Sequence, residues 1–119
     1  MIDHVKLFVR DAQASREFYE AALEPLGYRV LFDRGEVYGL GRDRPDLWLE
    51  SGEPTTVAHI ALRADDRSSV DAFHAAALAA GGRDNGAPGL RWYHPTYYGA
   101  FVLDPDGNNL EAVCHAPEG

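Results

Sequence analysis

The stretch His4-Val5-Lys6-Leu7-Phe8-Val9-Arg10-Asp11 decides how this chain is read, because it returns 55 residues later as His59-Ile60-Ala61-Leu62-Arg63-Ala64-Asp65-Asp66. At that offset His4 falls on His59, Val5 on Ile60, Leu7 on Leu62 and Asp11 on Asp66. The register runs on through Phe18 onto Phe73, Ala21-Ala22-Leu23 onto Ala76-Ala77-Leu78, and Gly27 onto Gly82. A match held this long marks one supersecondary unit used twice.

Each copy has the same grammar. Val5, Leu7 and Val9 alternate with His4, Lys6 and Phe8, the period of a strand. An Ala-rich stretch follows, opened by Asp11 or a near neighbour, with Phe18, Ala22 and Leu26 on one stripe and Gly27 as its stop. That spacing predicts a helix over 12–26. In the second copy the strand is His59 to Ala64. Ser68 is the expected N-cap, with Asp71 three residues on and Gly81-Gly82 as the stop, which predicts a helix over 68–80. Strand-like stretches broken by Gly, Pro and Asp follow at about 28–33, 36–41 and 46–50, then at about 91–93, 98–103 and 109–115. Asp104-Pro105-Asp106-Gly107-Asn108 is the turn between the last two. The expected fold is α+β: two tandem βαβββ units, 1–53 and 57–116, in a single domain spanning 1–119. Their mixed sheets curl around a site with the helices packed outside, and Pro54-Thr55-Thr56 is the short joint.

Composition narrows the function. A chain of 119 residues encloses one core, not two. The net charge of −8 argues against nucleic acid and anionic membrane surfaces as partners, and it leaves a small-molecule substrate open, because a cleft can carry the opposite sign to the whole molecule. No apolar run approaches the roughly 18–20 residues of a membrane span, and the N-terminus reads neither basic nor as an apolar leader. The single cysteine, Cys114, excludes an internal disulfide and a Cys-based zinc cage, and it is expected as a buried strand residue. A cytoplasmic protein is the expectation.

Four positions carry candidate chemistry. His4 and His59 sit at equivalent places on equivalent strands, off the apolar face. Glu111 lies in the last strand, opposite the face of Leu110, Ala112 and Cys114. Matching the ends of the two units sets Asp46 against Glu111, with Glu50 further along the same strand. Two imidazoles and one or two carboxylates suit a divalent metal of intermediate hardness, such as Zn, Ni, Fe(II) or Mn. Three ligands are expected, His4, His59 and Glu111, with Asp46 or Glu50 as an outer-shell or fourth ligand.

The duplicated unit, the phrases Arg16-Glu17-Phe18-Tyr19 and Leu26-Gly27-Tyr28, and the run Tyr98-Gly99-Ala100-Phe101-Val102-Leu103-Asp104-Pro105-Asp106-Gly107-Asn108-Asn109-Leu110-Glu111 resemble the vicinal oxygen chelate superfamily. That group includes glyoxalase I, extradiol dioxygenases, fosfomycin-resistance enzymes and bleomycin-binding proteins. The resemblance covers essentially the whole chain and sets His4, His59 and Glu111 on family ligand positions. It implies a metal-dependent lyase, isomerase, dioxygenase or thiol transferase, or a binding protein of the same fold that sequesters its ligand. Asp46 departs from the Glu expected of a glyoxalase I.

Such a site chelates neighbouring oxygens of a substrate and needs a proton carrier beside it. His94, Tyr97 and Tyr98, in the polar-aromatic loop from Arg91 to Tyr98, are the candidates for that role. Arg63 and Trp92 are candidates for substrate binding. A homodimer is expected, because the open sheet edges need cover and the resemblance implies one.

Overall fold

The computed structural model describes residues 1–54 and 56–117, so Thr55 of the joint lies outside the described residues. The first unit runs β1 (Val5–Val9), α1 (Ala12–Leu23), a 3-10 turn (Glu24–Leu26), β2 (Arg29–Asp33), β3 (Val37–Gly41) and β4 (Pro45–Ser51). The second repeats it as β5 (His59–Arg63), α2 (Arg67–Ala79), β6 (Arg83–Leu90), β7 (Tyr98–Leu103) and β8 (Asn109–Cys114).

The helices begin and end for local reasons. Asp11 caps α1 by accepting from the Ala14 N–H at 3.1 Å. The predicted helix over 12–26 stops being α-helical at Leu23, because Pro25 has no N–H to continue the ladder. A 3-10 turn completes it, and Gly27 closes it with φ of 86°. On α2 the cap is Asp66 and not Ser68. The Asp66 carboxylate accepts from the Ser69 N–H at 2.8 Å and the Ser68 hydroxyl at 2.9 Å, so Ser68 falls inside the first turn.

Each unit folds into a four-stranded mixed sheet, ordered β1-β4-β3-β2 and β5-β8-β7-β6. In both, the first strand pairs parallel with the last and the other neighbours are antiparallel. One face of each sheet is apolar and carries a helix. Leu7, Val9, Leu47 and Leu49 are buried in the first unit, Leu110, Ala112 and Cys114 in the second, together with Phe18 and Ala22 of α1 and Phe73 and Ala77 of α2. Cys114 is a buried free thiol. No helix among the described residues is long and apolar enough to cross a membrane.

One strand differs from expectation. Residues 91–93 belong to a loop, and the edge strand of the second sheet is Arg83–Leu90. Its sequence, Arg83-Asp84-Asn85-Gly86-Ala87-Pro88-Gly89-Leu90, has the composition of a turn. An edge strand tolerates Pro and Gly, and its ladder with β7 shifts register at Asp84/Gly86 and Gly86/Gly89.

The turn Asp104–Asn108 fastens the units together. Asp104 is buried and accepts from the Tyr19 hydroxyl of α1 at 2.5 Å, the Asn108 N–H at 2.7 Å and the Asp106 N–H at 2.9 Å. Asp106 accepts from the Arg10 guanidinium at 3.0 Å. The Asn108 side chain takes the Ala58 N–H at 2.7 Å, which fixes the backbone just before His59. The edge strands β1 and β5 are not paired with each other, so the cleft between the sheets opens along them.

Candidate functional site

The face of the second sheet turned away from α2 is built by alternation. His59, Ala61 and Arg63 stand on it from β5, Asn109, Glu111 and Val113 from β8, and Gly99 and Phe101 from β7. Ala61 and Phe101 flank Glu111 on either side. Glu111 is 1% exposed, deep for a carboxylate, and both its oxygens are engaged. Oε1 lies 2.7 Å from Nε2 of His59, and the Tyr97 hydroxyl donates to Oε2. Loss of hydration, followed by the facing carboxylate, pushes the Tyr97 hydroxyl up to about 12. The His59 side chain is 55% exposed, so an open imidazole caps a buried acid.

His4 stands immediately before β1. Its Nδ1 is 2.8 Å from an Asp3 carboxylate oxygen, and that hydrogen bond holds Asp3 below the usual carboxylate range. With the ring proton on Nδ1, Nε2 keeps its lone pair, the arrangement a carboxylate imposes on a ligating histidine. His4 and His59 line one cavity of about 350 Å³ with Asp46 and Tyr28.

The two acids of the first unit are already committed. Asp46 accepts from the Tyr28 hydroxyl at 2.8 and 3.0 Å, and Tyr28 is raised by burial and by that bond. Glu50 pairs with Lys6 at 2.8 Å. The strand ladders also correct the equivalence read from the sequence. Val5 pairs with Leu47 as Ile60 pairs with Leu110, so Leu47 corresponds to Leu110. The counterpart of Glu111 is therefore Trp48, and that of Asp46 is Asn109. Matching strand ends failed because the expected ends, at 50 and 115, were each one residue off; the strands end at the equivalent residues Ser51 and Cys114, and the parallel ladder sets the register.

Of the predicted proton carriers, only Tyr97 reaches Glu111. Tyr98 is a correction: the next residue on a strand faces the other way, and its hydroxyl donates to Asp71 of α2 at 2.6 Å. His94 caps its own turn through Nδ1, which takes the Thr96 N–H at 3.2 Å. Its ring meets that of His115, whose ring in turn meets Tyr97, so it stands two rings from the acid. Trp92 is 88% exposed and packs on Tyr93. Arg63 lines a separate hollow with Arg42 and Ser69. The sequence reading missed Tyr28, whose signal was its aromatic ring directly after the helix stop, and Trp48, which the wrong register concealed.

Among the described residues no three His, Cys, Asp or Glu side chains converge tightly enough to hold an ion. The donor types nevertheless fit a divalent metal: two imidazoles and a carboxylate. Two donors each about 2.1 Å from one ion at a right angle lie about 3.0 Å apart. The His59 and Glu111 atoms, at 2.7 Å, are at hydrogen-bond distance, a little inside that spacing.

The family model described as Glyoxalase/Bleomycin resistance protein/Dioxygenase superfamily matches residues 1–112. A glyoxalase/bleomycin resistance protein from Albidiferax ferrireducens T118 is similar in structure, with TM-score 0.80 and 29% identity, over 94% of this chain and 96% of that one. A glyoxalase/bleomycin resistance protein/dioxygenase family enzyme from Burkholderia phytofirmans PsJN gives TM-score 0.77 and 22% identity, over 97% and 98%. Lactoylglutathione lyase from Agrobacterium tumefaciens gives 0.70 and 20%, over 96% and 92%. The last two likenesses establish the fold alone. No curated protein matches the chain.

Proposed function

Because this chain belongs to the glyoxalase/bleomycin resistance protein/dioxygenase superfamily, we propose that it is a metal-dependent enzyme acting on a small oxygenated molecule. His4, His59 and Glu111 hold one divalent ion, and Tyr97 manages a proton beside it. The observation that carries the reading is Glu111, a buried carboxylate met by an open imidazole and a tyrosine hydroxyl.

A divalent ion bound there would polarise two neighbouring oxygens of a substrate and favour the charge that develops on them. The chain's own residues do the rest. Asp3 orients the His4 ring and fixes its tautomer. Tyr97 keeps its proton on Oη at neutral pH, within reach of Glu111, and so is a proton donor beside that carboxylate. Phe101, 8% exposed, lies beside Glu111 and shields it from water.

Metal analysis and titration of the whole chain, purified without chelator or affinity tag, test the reading. One equivalent of a divalent ion is expected, together with its loss in His59→Ala. His59 is mostly exposed, so the variant keeps its fold by circular dichroism. Undiminished metal content in His59→Ala would refute the assignment. A second reading, a ligand-sequestering protein of the same fold, is favoured by one observation: an indole, not an acid, stands opposite Glu111 in the repeat. It predicts tight ligand binding with no metal and no turnover.

A further inference from the structure

The register of β4 points to the kind of ligand this cleft accepts, an inference that rests on the reading above and extends it. We propose that Trp48 turns the first-unit half of the cleft into a subsite for a planar, ring-bearing group, next to His4. Where the repeat would supply a second acid, this chain supplies an indole.

The surroundings of Trp48 are built for a ring. Its strand neighbours are Lys6 on one side and Gly39 on the other. A Cβ at Gly39 would lie 3.0 Å from two carbons of the indole and 2.9 Å from Cβ of Pro45. Only a bare backbone lets the indole lie against β3 at that point. Phe32 packs its ring against Trp48 at 5.1 Å and an interplanar angle of 61°, which fixes its orientation. Both rings remain half-buried. They line a hollow of about 360 Å³ with Val37, Pro45, Lys6 and His4. His4 and Asp3 also line the cavity shared with His59, so the hollow and the proposed metal site meet at this pair of residues.

A tryptophan that filled the core would be closed over by side chains. This one is oriented by a second ring from the side and presents open surface beside a candidate ligand. The indole face favours offset stacking with another π-system, and a saturated ring of similar bulk lacks that term. The substrate class is therefore one in which the carbon bearing the chelating oxygens carries an aromatic or otherwise planar group.

Mandelate and hexahydromandelate share the same α-hydroxy acid and differ only in the ring, so they separate the two ideas. The chain has two tryptophans, and Trp92→Phe leaves Trp48 as the only indole reporter. In that background, with and without added divalent metal, mandelate is expected to quench the fluorescence and to bind roughly three- to tenfold more tightly than its saturated partner. Trp48→Leu, read by competition calorimetry in place of fluorescence, should bring the ratio close to one. Gly39→Ala, which pushes the indole off the sheet, should do the same with an unchanged circular dichroism spectrum. Equal affinities for the two ligands, no mandelate binding in either form, or a ratio that survives both substitutions overturns the proposal. If the preference persists in metal-free protein but no metal ever binds, the subsite stands and the metal reading falls. Metal binding with no ring preference gives the opposite outcome.

Discussion

Replacing Asp104 by alanine should cost about 3–5 kcal/mol of folding stability, far more than a turn residue usually costs. The carboxylate is 3% exposed and serves donors from three residues: the Tyr19 hydroxyl, the Asp106 and Asn108 N–H groups, and the Asn108 side-chain amide at 2.8 Å. Alanine leaves them without an acceptor. Asp106 is near enough to the surface to recruit water, but Tyr19 at 0% and Asn108 at 4% exposure are not. Each orphaned buried donor costs about 1–3 kcal/mol, and three of them, the Tyr19 hydroxyl and both Asn108 groups, set the estimate at the low end of their sum. Tyr19→Phe removes a donor and leaves Asp104 with the others, so it should cost only about 1 kcal/mol. In the double variant part of the penalty disappears, because phenylalanine has no hydroxyl to orphan. Urea unfolding at neutral pH, with equal slopes across the variants, reads all three numbers. A loss below about 1 kcal/mol in Asp104→Ala would refute the reasoning, since it would mean that water satisfies these buried donors.

Alkali should weaken the same clamp. Burial first, then Asp104, raises the Tyr19 hydroxyl well above 10.0, so its contribution is fully present below that value and is lost as pH climbs through the higher folded one. Urea midpoints should fall on the alkaline side, and Tyr19→Phe should flatten that fall; an unchanged slope in the variant would count against it. Asp46→Ala should retain one equivalent of metal, because Asp46 corresponds to Asn109 and is held by Tyr28. Complete loss of metal in that variant, by elemental analysis, would restore Asp46 to the ligand shell.

What the sequence made legible was whatever repeats locally. The offset from His4 to His59 established both first strands and both helices, because strand alternation and helical spacing are short-range patterns that survive divergence. It also marked His59, and alternation in the last strand marked Glu111; the fold brings the two within 2.7 Å of each other. Pairing across strands was not legible. Asp46 looked like the counterpart of Glu111 because strand ends were matched, and a shift of two residues keeps every side chain on its own face. No alternation argument could detect that error. The β6 strand was hidden for another reason: an edge strand needs only one neighbour, so Gly86, Pro88 and Gly89 cost it little. Tyr97 and Tyr98 were indistinguishable in sequence, and strand polarity separates them. One serves Glu111 and the other serves Asp71.

The corrected register also explains why the halves of the cleft differ. In each sheet the last strand is interior, between the first strand and the third, so its outward residue is flanked by a strand on both sides. A carboxylate at such a place must be compensated, or its burial costs several kcal/mol. In the second unit His59 and Tyr97 provide the compensation, and Glu111 is retained at 1% exposure. In the first unit the only basic neighbour across the ladder, Lys6, reaches Glu50 near the end of β4 instead. The ion pair therefore sits beside the interior position and not on it, and an uncharged indole fills the place without needing a partner charge. Duplication supplied two equivalent positions and an equivalent histidine near each, but Tyr97 donates to Glu111 in the second unit, whereas Tyr28 of the first donates to Asp46. At the first unit's position stands Trp48, half-buried and bordered by Phe32, so equivalent points on the two sheets carry different chemistry, a carboxylate on one and an indole on the other.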